Sequence, residues 1–246
     1  MMSSVYTPGF YRAHEEGSEK AARAIVPTIL DLIKPRSVVD VGCGTGIWLA
    51  IFRELGVEEI LGLDGAWVGV KQLRIPRDRF IVADLTKPLP VQREFDLVVS
   101  LEVAEHLPSP HAETFVESLT RLGPVILFSA AIPFQGGTGR LNEQWPDYWA
   151  DKFSRRGYLV VDAVRGRIWN VDDIPWWYAQ NALLFVRREA LSKVPVLGRE
   201  RDGEAPRPVA IVHPRLYLAY ANPDRQSMRV LAREILSELR RRINRA

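Results

Sequence analysis

The stretch SVVDVGCGTGIWLAIFRELG, Ser37–Gly56, decides how the rest of the chain is read. A strand-like run from Ser37 leads through Asp40 to glycines at 42, 44 and 46, and an apolar helical pattern begins at Ile47. Glycine that dense suits neither a helix nor a strand interior, because glycine loses the most backbone freedom on ordering. The reading is strand, glycine turn, helix. In an α/β sheet such a turn lies at the carboxyl end of the first strand, where these sheets bind ligands. Missing Cβ atoms let the backbone close on a ligand there. The dinucleotide fingerprint is G-x-G-x-x-G, whereas the spacing here is G-x-G-x-G, with Ile47 and Trp48 where the extra spacing would fall. That departure counts against a nicotinamide dinucleotide. No G-K-S/T follows, so this is not a phosphate loop.

Outward from this turn, strand-like and helix-like segments alternate. Upstream, apolar residues at 22, 25, 26, 29, 30 and 33 predict a helix over Ser18–Ile33, stopped by Pro35. Downstream come EILGLDG, a short helical stretch near Val68–Leu73, RFIVADL and FDLVVSL. A helix over His111–Leu122, PVILFSAA, a helix over Asp147–Arg156, YLVVDAV and ALLFVRR follow. Short Val-, Ile- and Leu-rich strands between helices predict a parallel sheet covered on both faces. The last two strands lack a clear helix between them, which suits antiparallel pairing at the sheet edge. Beyond Lys193 the composition turns to Pro, Gly and charge and reads as a linker, followed by a short extended segment in VAIVHPRLYLAYANP. Met228, Leu231, Ile235, Leu239 and Ile243 then mark one face of a C-terminal helix. Such a face packs on its own domain or on another subunit, a homo-oligomer in the second case. The expected division is 1–192 for the main domain and 193–246 for linker and basic amphipathic helix.

Composition bounds the rest. The chain has 246 residues, 47% of them hydrophobic, and no apolar run long enough to span a membrane. Cys43 is the single cysteine, so no internal disulfide forms. With no apolar leader region visible, this points to a reducing cytoplasm. The net charge is +3, but Asp224–Ala246 carries seven Arg against one Asp and two Glu, so the remainder is about −1. The basic character belongs to the tail, which weakens any case for nucleic acid as a partner.

VVDVGCGTG resembles the first motif of the class I S-adenosylmethionine-dependent methyltransferases, and the resemblance extends in order to about Val186. It implies a Rossmann-like, seven-stranded, mostly parallel sheet with helices on both faces. S-adenosylmethionine is the implied cofactor, held by Asp40, Gly42, Gly44 and Gly46. Asp64, ending the second strand, would accept from the ribose hydroxyls. Asp84, ending the third, would accept from the adenine amine beside Leu85. Leu101 and Glu102, in FDLVVSLEVAEHL, would line the cofactor. Cys43 reads as a small packed filler.

The acceptor half is less specific. Glu102, Glu105 and His106 form E-x-x-E-H, and a helical turn would put them on one face. The arrangement resembles ubiquinone-pathway O-methyltransferases and small-RNA 2′-O-methyltransferases, in which it is a magnesium site. Read so, these three residues hold Mg²⁺. Read otherwise, Glu102 serves the cofactor and His106 is a pocket hydrogen-bonder or the general base, with Glu105 and Glu143 behind it. The passage PFQGGTGRLNEQWPDYW resembles sugar and glycan methyltransferases of cell-envelope settings, with Arg140 where those carry histidine. Arg140, Asn142, Gln144 and Trp145 are the candidate acceptor contacts. Trp145, Trp149 and Phe153 fall at helical spacing, a stripe that is core or pocket. Five of seven tryptophans lie between 145 and 177, and Asn170, Asp172, Asp173, Gln180 and Asn181 stand beside them. Polar groups among aromatics suit a polyhydroxyl acceptor. The expected activity is methyl transfer to a hydroxyl of a saccharide or glycoconjugate, or another small-molecule acceptor. Alternatives are a metal-assisted RNA 2′-O-methyltransferase and a non-catalytic binding protein with this fold.

Overall fold

A computed structural model describes residues 8–192, 194–202 and 209–221. The chain divides into two compact units, Met1–Ile211 and Val212–Ala246. The first holds a single seven-stranded sheet: β1 (Ser37–Val41), β2 (Glu59–Asp64), β3 (Phe80–Val82), β4 (Leu97–Leu101), β5 (Val125–Ser129), β6 (Tyr158–Val161) and β7 (Leu183–Arg187), in the order β3-β2-β1-β4-β5-β7-β6. Strands β1 to β5 pair in parallel, and β7 runs antiparallel to both β5 and β6. The expected α/β sheet is therefore present. The antiparallel strand β7 sits inside the sheet, with β6 at its edge.

The central strands β1, β4 and β5 are buried along their whole length, which is why they read as unbroken apolar runs. Helix α1 (Pro8–Ile33) buries Ala22, Ile25, Val26 and Ile29 against α2 (Ile47–Glu54) on one face of the sheet. It starts ten residues before the expected helix start at Ser18, and Pro27 sits within it on the solvent side, where the ring costs one hydrogen bond. Lys34, left-handed at φ 52, closes the helix ahead of Pro35. On the other face lie α3 (Ala112–Leu122) and α4 (Pro146–Ser154), whose Phe115, Leu119, Trp149 and Phe153 pack with Phe128 and Phe185 of the sheet. Trp145, in contrast, caps α4 from outside and is 43% exposed. The i, i+4, i+8 stripe thus divides into two core residues and one surface residue.

Four local expectations are corrected. The stretch near Val68–Leu73 is a single 3₁₀ turn, Val70–Gln72. Between β6 and β7 the chain forms short helices α5 (Arg165–Ile168) and α6 (Trp176–Asn181). The Pro- and Gly-rich stretch holds helix α7 (Pro195–Asp202), because Pro195 occupies the first helical position, where proline is tolerated, and Leu197 is fully buried in the core. In the second unit, Pro214–Ala221 is helix α8, where an extended segment was expected. The amphipathic face at Met228, Leu231, Ile235, Leu239 and Ile243 lies outside the described residues. No described helix is long and apolar enough to cross a membrane.

Arg165 is buried and ties several segments together. It pairs with Asp162 at 2.6 and 3.0 Å and donates to the carbonyls of Gln180 and Val209 at 3.3 and 2.8 Å. Arg165→Met leaves these acceptors and the Asp162 charge unpaired, so a loss of about 3–5 kcal/mol is expected. Chemical denaturation of the variant, compared with Arg155→Met at an exposed pair, measures it.

Candidate active site

The glycine turn answers two steric demands at once. Gly42, Gly44 and Gly46 all take left-handed backbone angles, φ 84, 54 and 83. A Cβ on Gly42 would lie 2.4 Å from Cγ2 of Val103, and one on Gly46 would lie 3.0 Å from Ile75. The turn is therefore pressed from beneath by the protein while its other side faces a cavity of about 670 Å³. That volume is in the range of small-molecule sites. The cavity opens at the carboxyl ends of β1, β2, β3 and β4, where the strand order reverses between β1 and β4. Cys43 fills space against Gly62, as expected, and burial pushes its thiol well above the ordinary range.

Three strand-end acids behave differently. Asp64 is buried on the cavity wall. It accepts from the N–H of Gly44 at 2.7 Å and of Gly65 at 2.6 Å, with the Trp67 side chain also bonded to it. Burial pushes its carboxyl up to about 6, against those donors. Asp84 is exposed and accepts from Thr86 Oγ1 at 2.6 Å and Lys87 Nζ at 3.2 Å, bonds that hold it below the usual range. It lines the cavity with Leu85 and Thr86. Asp40 lies inside β1, and it is not among the residues that line the cavity; burial, with the Asp64 charge beside it, raises its carboxyl well above the usual range.

The same cavity is lined by Leu101, Glu102, Val103 and His106. Glu102 leaves β4 in a left-handed conformation, φ 55, and only Ala104–His106 forms a 3₁₀ turn. The three residues of E-x-x-E-H consequently do not share one helical face. Glu102 accepts from Gln135 Nε2 at 2.9 Å and Asn181 Nδ2 at 3.1 Å, with Arg140 Nη2 at 3.6 Å. Glu105 is fully buried, and neither carboxyl oxygen makes a hydrogen bond of ordinary geometry. Burial, then the nearby Glu102, pushes its carboxyl well up, more than the neighbouring N–H groups and Arg140 pull it down. Among the described residues no group of three His, Cys, Asp or Glu could hold a metal ion. The donor set does not fit Mg²⁺, since Glu102 is committed to amides and Arg140 and Glu105 is sealed.

His106 lines the cavity with its Nδ1 3.1 Å from the carbonyl of Gly139. A carbonyl only accepts, so Nδ1 carries a hydrogen, while Nε2, which holds the lone pair in the corresponding neutral tautomer, lies 4.0 Å from Glu105 Oε1. The loop after β5 is pinned: Leu141 and Asn142 donate to the Glu105 carbonyl at 2.7 and 2.9 Å, and Gln144 donates to the Ala131 carbonyl. Of the acceptor candidates, Arg140 reaches the cavity. Glu143 binds the Phe134 N–H at 3.1 Å and Arg140 at 3.4 Å, and Asn142 binds Gln144 at 3.0 Å. These three and Trp145 are not on the lining; they shape the loop. Asn170, Asp172 and Asp173 are exposed and also off the lining, whereas Gln180 and Asn181 are buried around Glu102. Residues missed in the sequence include Glu15 and Ser18 of α1. Glu15 accepts from Thr45 of the glycine turn at 2.9 Å, and Ser18 meets the Tyr178 hydroxyl at 3.2 Å. Trp48, Trp67, Trp176 and Trp177 complete the aromatic wall.

A sheet of this order with its cavity at that reversal is the class I methyltransferase fold. Residues 11–164 match the model of the family described as "Methyltransferase domain", and the chain belongs to that family. Among solved structures it is similar to human N-acetylserotonin methyltransferase in complex with S-adenosylmethionine, at 17% identity and TM-score 0.51, over 72% of this chain and 55% of that one. It thus spans about half of the human enzyme's chain. It is also similar to DesVI of Streptomyces venezuelae, at 16% identity and TM-score 0.54, over 72% of this chain and 96% of that one. A third similarity is to magnesium protoporphyrin IX methyltransferase of Synechocystis with bound S-adenosylhomocysteine, at 18% identity and TM-score 0.52, over 70% and 84% of the two chains. None of the curated proteins matches in sequence.

Proposed function

We propose that the cavity binds S-adenosylmethionine and that the protein transfers its methyl group to an oxygen acceptor, a hydroxyl of a saccharide or glycoconjugate. The observation that carries this reading is one cavity lined both by the glycine turn, Asp64 and Asp84 and by the oriented imidazole of His106. Bound there, the cofactor supplies a methyl carbon on a cationic sulfur. Asp64 binds the ribose hydroxyls, the glycine turn accommodates the neighbouring part, and Asp84 meets the adenine amine. Glu102 and Glu15 add negative charge suited to a cationic ligand. The acceptor lies between His106, Arg140 and the tryptophans, whose faces suit the C–H faces of a sugar. His106 would take the proton of the acceptor hydroxyl at Nε2, leaving the oxygen free to attack the methyl carbon that the bound cofactor would supply. The walls align the reactants and exclude water, and much of the rate comes from that alignment. The reading as a metal-assisted RNA enzyme loses its metal ligands at Glu102, Glu105 and His106. Incubation with methyl-labelled cofactor and separate pools of glycans, lipids, RNA and small molecules tests the proposal. Label in glycans supports it, label in RNA favours the alternative, and tight binding without turnover on any pool favours a non-catalytic role.

The raised carboxyl of Asp64 has two opposite consequences with pH. Protonation is favoured in the fold, so Asp64 contributes stability to the ligand-free protein below its unfolded value near 3.8 and loses it as pH rises through about 6. Ribose hydroxyls, however, need the carboxylate. S-adenosylmethionine affinity is therefore expected to fall as pH drops below about 6, and Asp64→Asn is expected to flatten that dependence. Calorimetric titrations between pH 5 and pH 8 check it.

A further inference from the structure

Glu102 is held by an amide network whose direction is fixed. The Ile132 N–H, which can only donate, bonds Gln135 Oε1 at 3.2 Å, so the NH₂ of Gln135 must face Glu102. Gln180 Nε2 donates to both Gln135 Oε1 at 3.2 Å and Asn181 Oδ1 at 2.9 Å. Asn181 is thereby turned so that its NH₂ meets Glu102 Oε1 at 3.1 Å and Gln135 Oε1 at 2.8 Å. All three amides are buried. Flipping any one would set carbonyl against carbonyl, or N–H against N–H, at buried side chains. The backbone of Glu102 is left-handed, a conformation costly for any residue with a Cβ, and its N–H is bonded to Ser129 O and Oγ, both at 3.0 Å. Side chain and backbone together fix the carboxylate on the cavity wall.

The charged and titratable groups around it are Arg140 and Glu143 from the loop after β5, Glu105 and His106 from the turn after β4, and Tyr178 from α6. Burial pushes the Glu105 carboxyl well above the usual range. Burial raises the Glu102 carboxyl too, and there the N–H donors of Asn181 and Gln135, one on each oxygen, together with Arg140 favour the carboxylate against it.

We infer that Gln180 is a positioning residue: acting through Gln135 and Asn181, it holds Glu102 as a fixed negative charge on the cavity wall and gives the site a preference for the cationic sulfonium cofactor over its demethylated product. The inference rests on the reading of this cavity as the S-adenosylmethionine site. Transfer removes one positive charge from the bound molecule, because sulfonium becomes sulfide. A fixed carboxylate therefore favours the cofactor over S-adenosylhomocysteine, which eases release of product and recharging of the site. Nothing in the sequence around Gln180 signals this, because Gln135 and Glu102, which complete the network, come from distant segments.

The test titrates S-adenosylmethionine and S-adenosylhomocysteine onto the full chain, as wild type and as Gln180→Met, which keeps the length and removes the donor. The cofactor is expected to weaken about tenfold and the product by about twofold to threefold, so the ratio of the two affinities falls toward that of Glu102→Gln. In the double variant Gln180→Met, Glu102→Gln, the ratio should fall no further than in Glu102→Gln alone. Gln180→Asn, which keeps an amide too short to reach both partners, is a second variant with the same expected fall. A purely structural role would lower melting temperature and both affinities together. An unchanged ratio in either variant, with both ligands bound, overturns the inference alone. Failure of the wild type to bind either ligand overturns the cofactor reading and this inference with it.

Discussion

Gly42→Ala is expected to lower the melting temperature by on the order of 10 °C. Two costs add at this position. The backbone sits at φ 84, where a Cβ costs about 1–3 kcal/mol. The new methyl would also lie 2.4 and 2.7 Å from the two methyl carbons of Val103, an overpacking cost of about 1–3 kcal/mol more. Against a total stability of about 5–15 kcal/mol that is a large share. Gly56→Ala separates the two costs, because Gly56 is left-handed at φ 101 yet a Cβ there meets nothing within 4 Å. It should show the backbone cost alone. Val103→Ala should recover part of the loss when combined with Gly42→Ala. Calorimetric melting of the four proteins checks the account; a Gly42→Ala protein that melts with the wild type would show that the turn has room to move.

His106→Ala is expected to slow methyl transfer by about 10²–10⁴-fold while cofactor affinity stays near the wild-type value. The imidazole is oriented by the Gly139 carbonyl, so its loss removes the base and leaves the glycine turn and Asp64 in place. The rate of the wild type should rise with pH through one ionisation that the variant lacks. Chelators should leave the wild-type rate unchanged, because the donor set around Glu102 does not fit a divalent cation. Single-turnover rates across pH, with and without chelator, decide the matter. Full activity in His106→Ala with an unchanged pH profile would return the residue to a structural role.

The cofactor half of the site was legible because it is local. Each strand ends in its own signal: glycines after β1, Asp64 after β2, Asp84 after β3, Glu102 after β4. The strand pattern then brings those ends together without further information. Even here the glycines carried two meanings, since the contact with Val103 arises only when β4 is laid beside β1. The acceptor half was less legible because it is assembled from distant segments. The spacing of Glu102, Glu105 and His106 suits a helix, but the left-handed angle at Glu102 breaks the face. Glu143, Asn142 and Gln144 look like pocket residues and instead satisfy one another and the loop backbone. Glu15 and Ser18 belong to an ordinary helical pattern, and only the packing of α1 beside α2 brings them to the cavity. The helix α7 was hidden by a composition typical of linkers, with Leu197 as a deeply buried anchor.

The central claim is that the cavity that the glycine turn faces is the S-adenosylmethionine site. Isothermal titration of the cofactor onto wild type and Asp64→Ala tests it most directly. The account predicts one site on the wild type and binding at least about tenfold weaker in the variant, the loss of hydrogen bonds to a charged acceptor. No binding to the wild type, or equal affinity in both proteins, would contradict it.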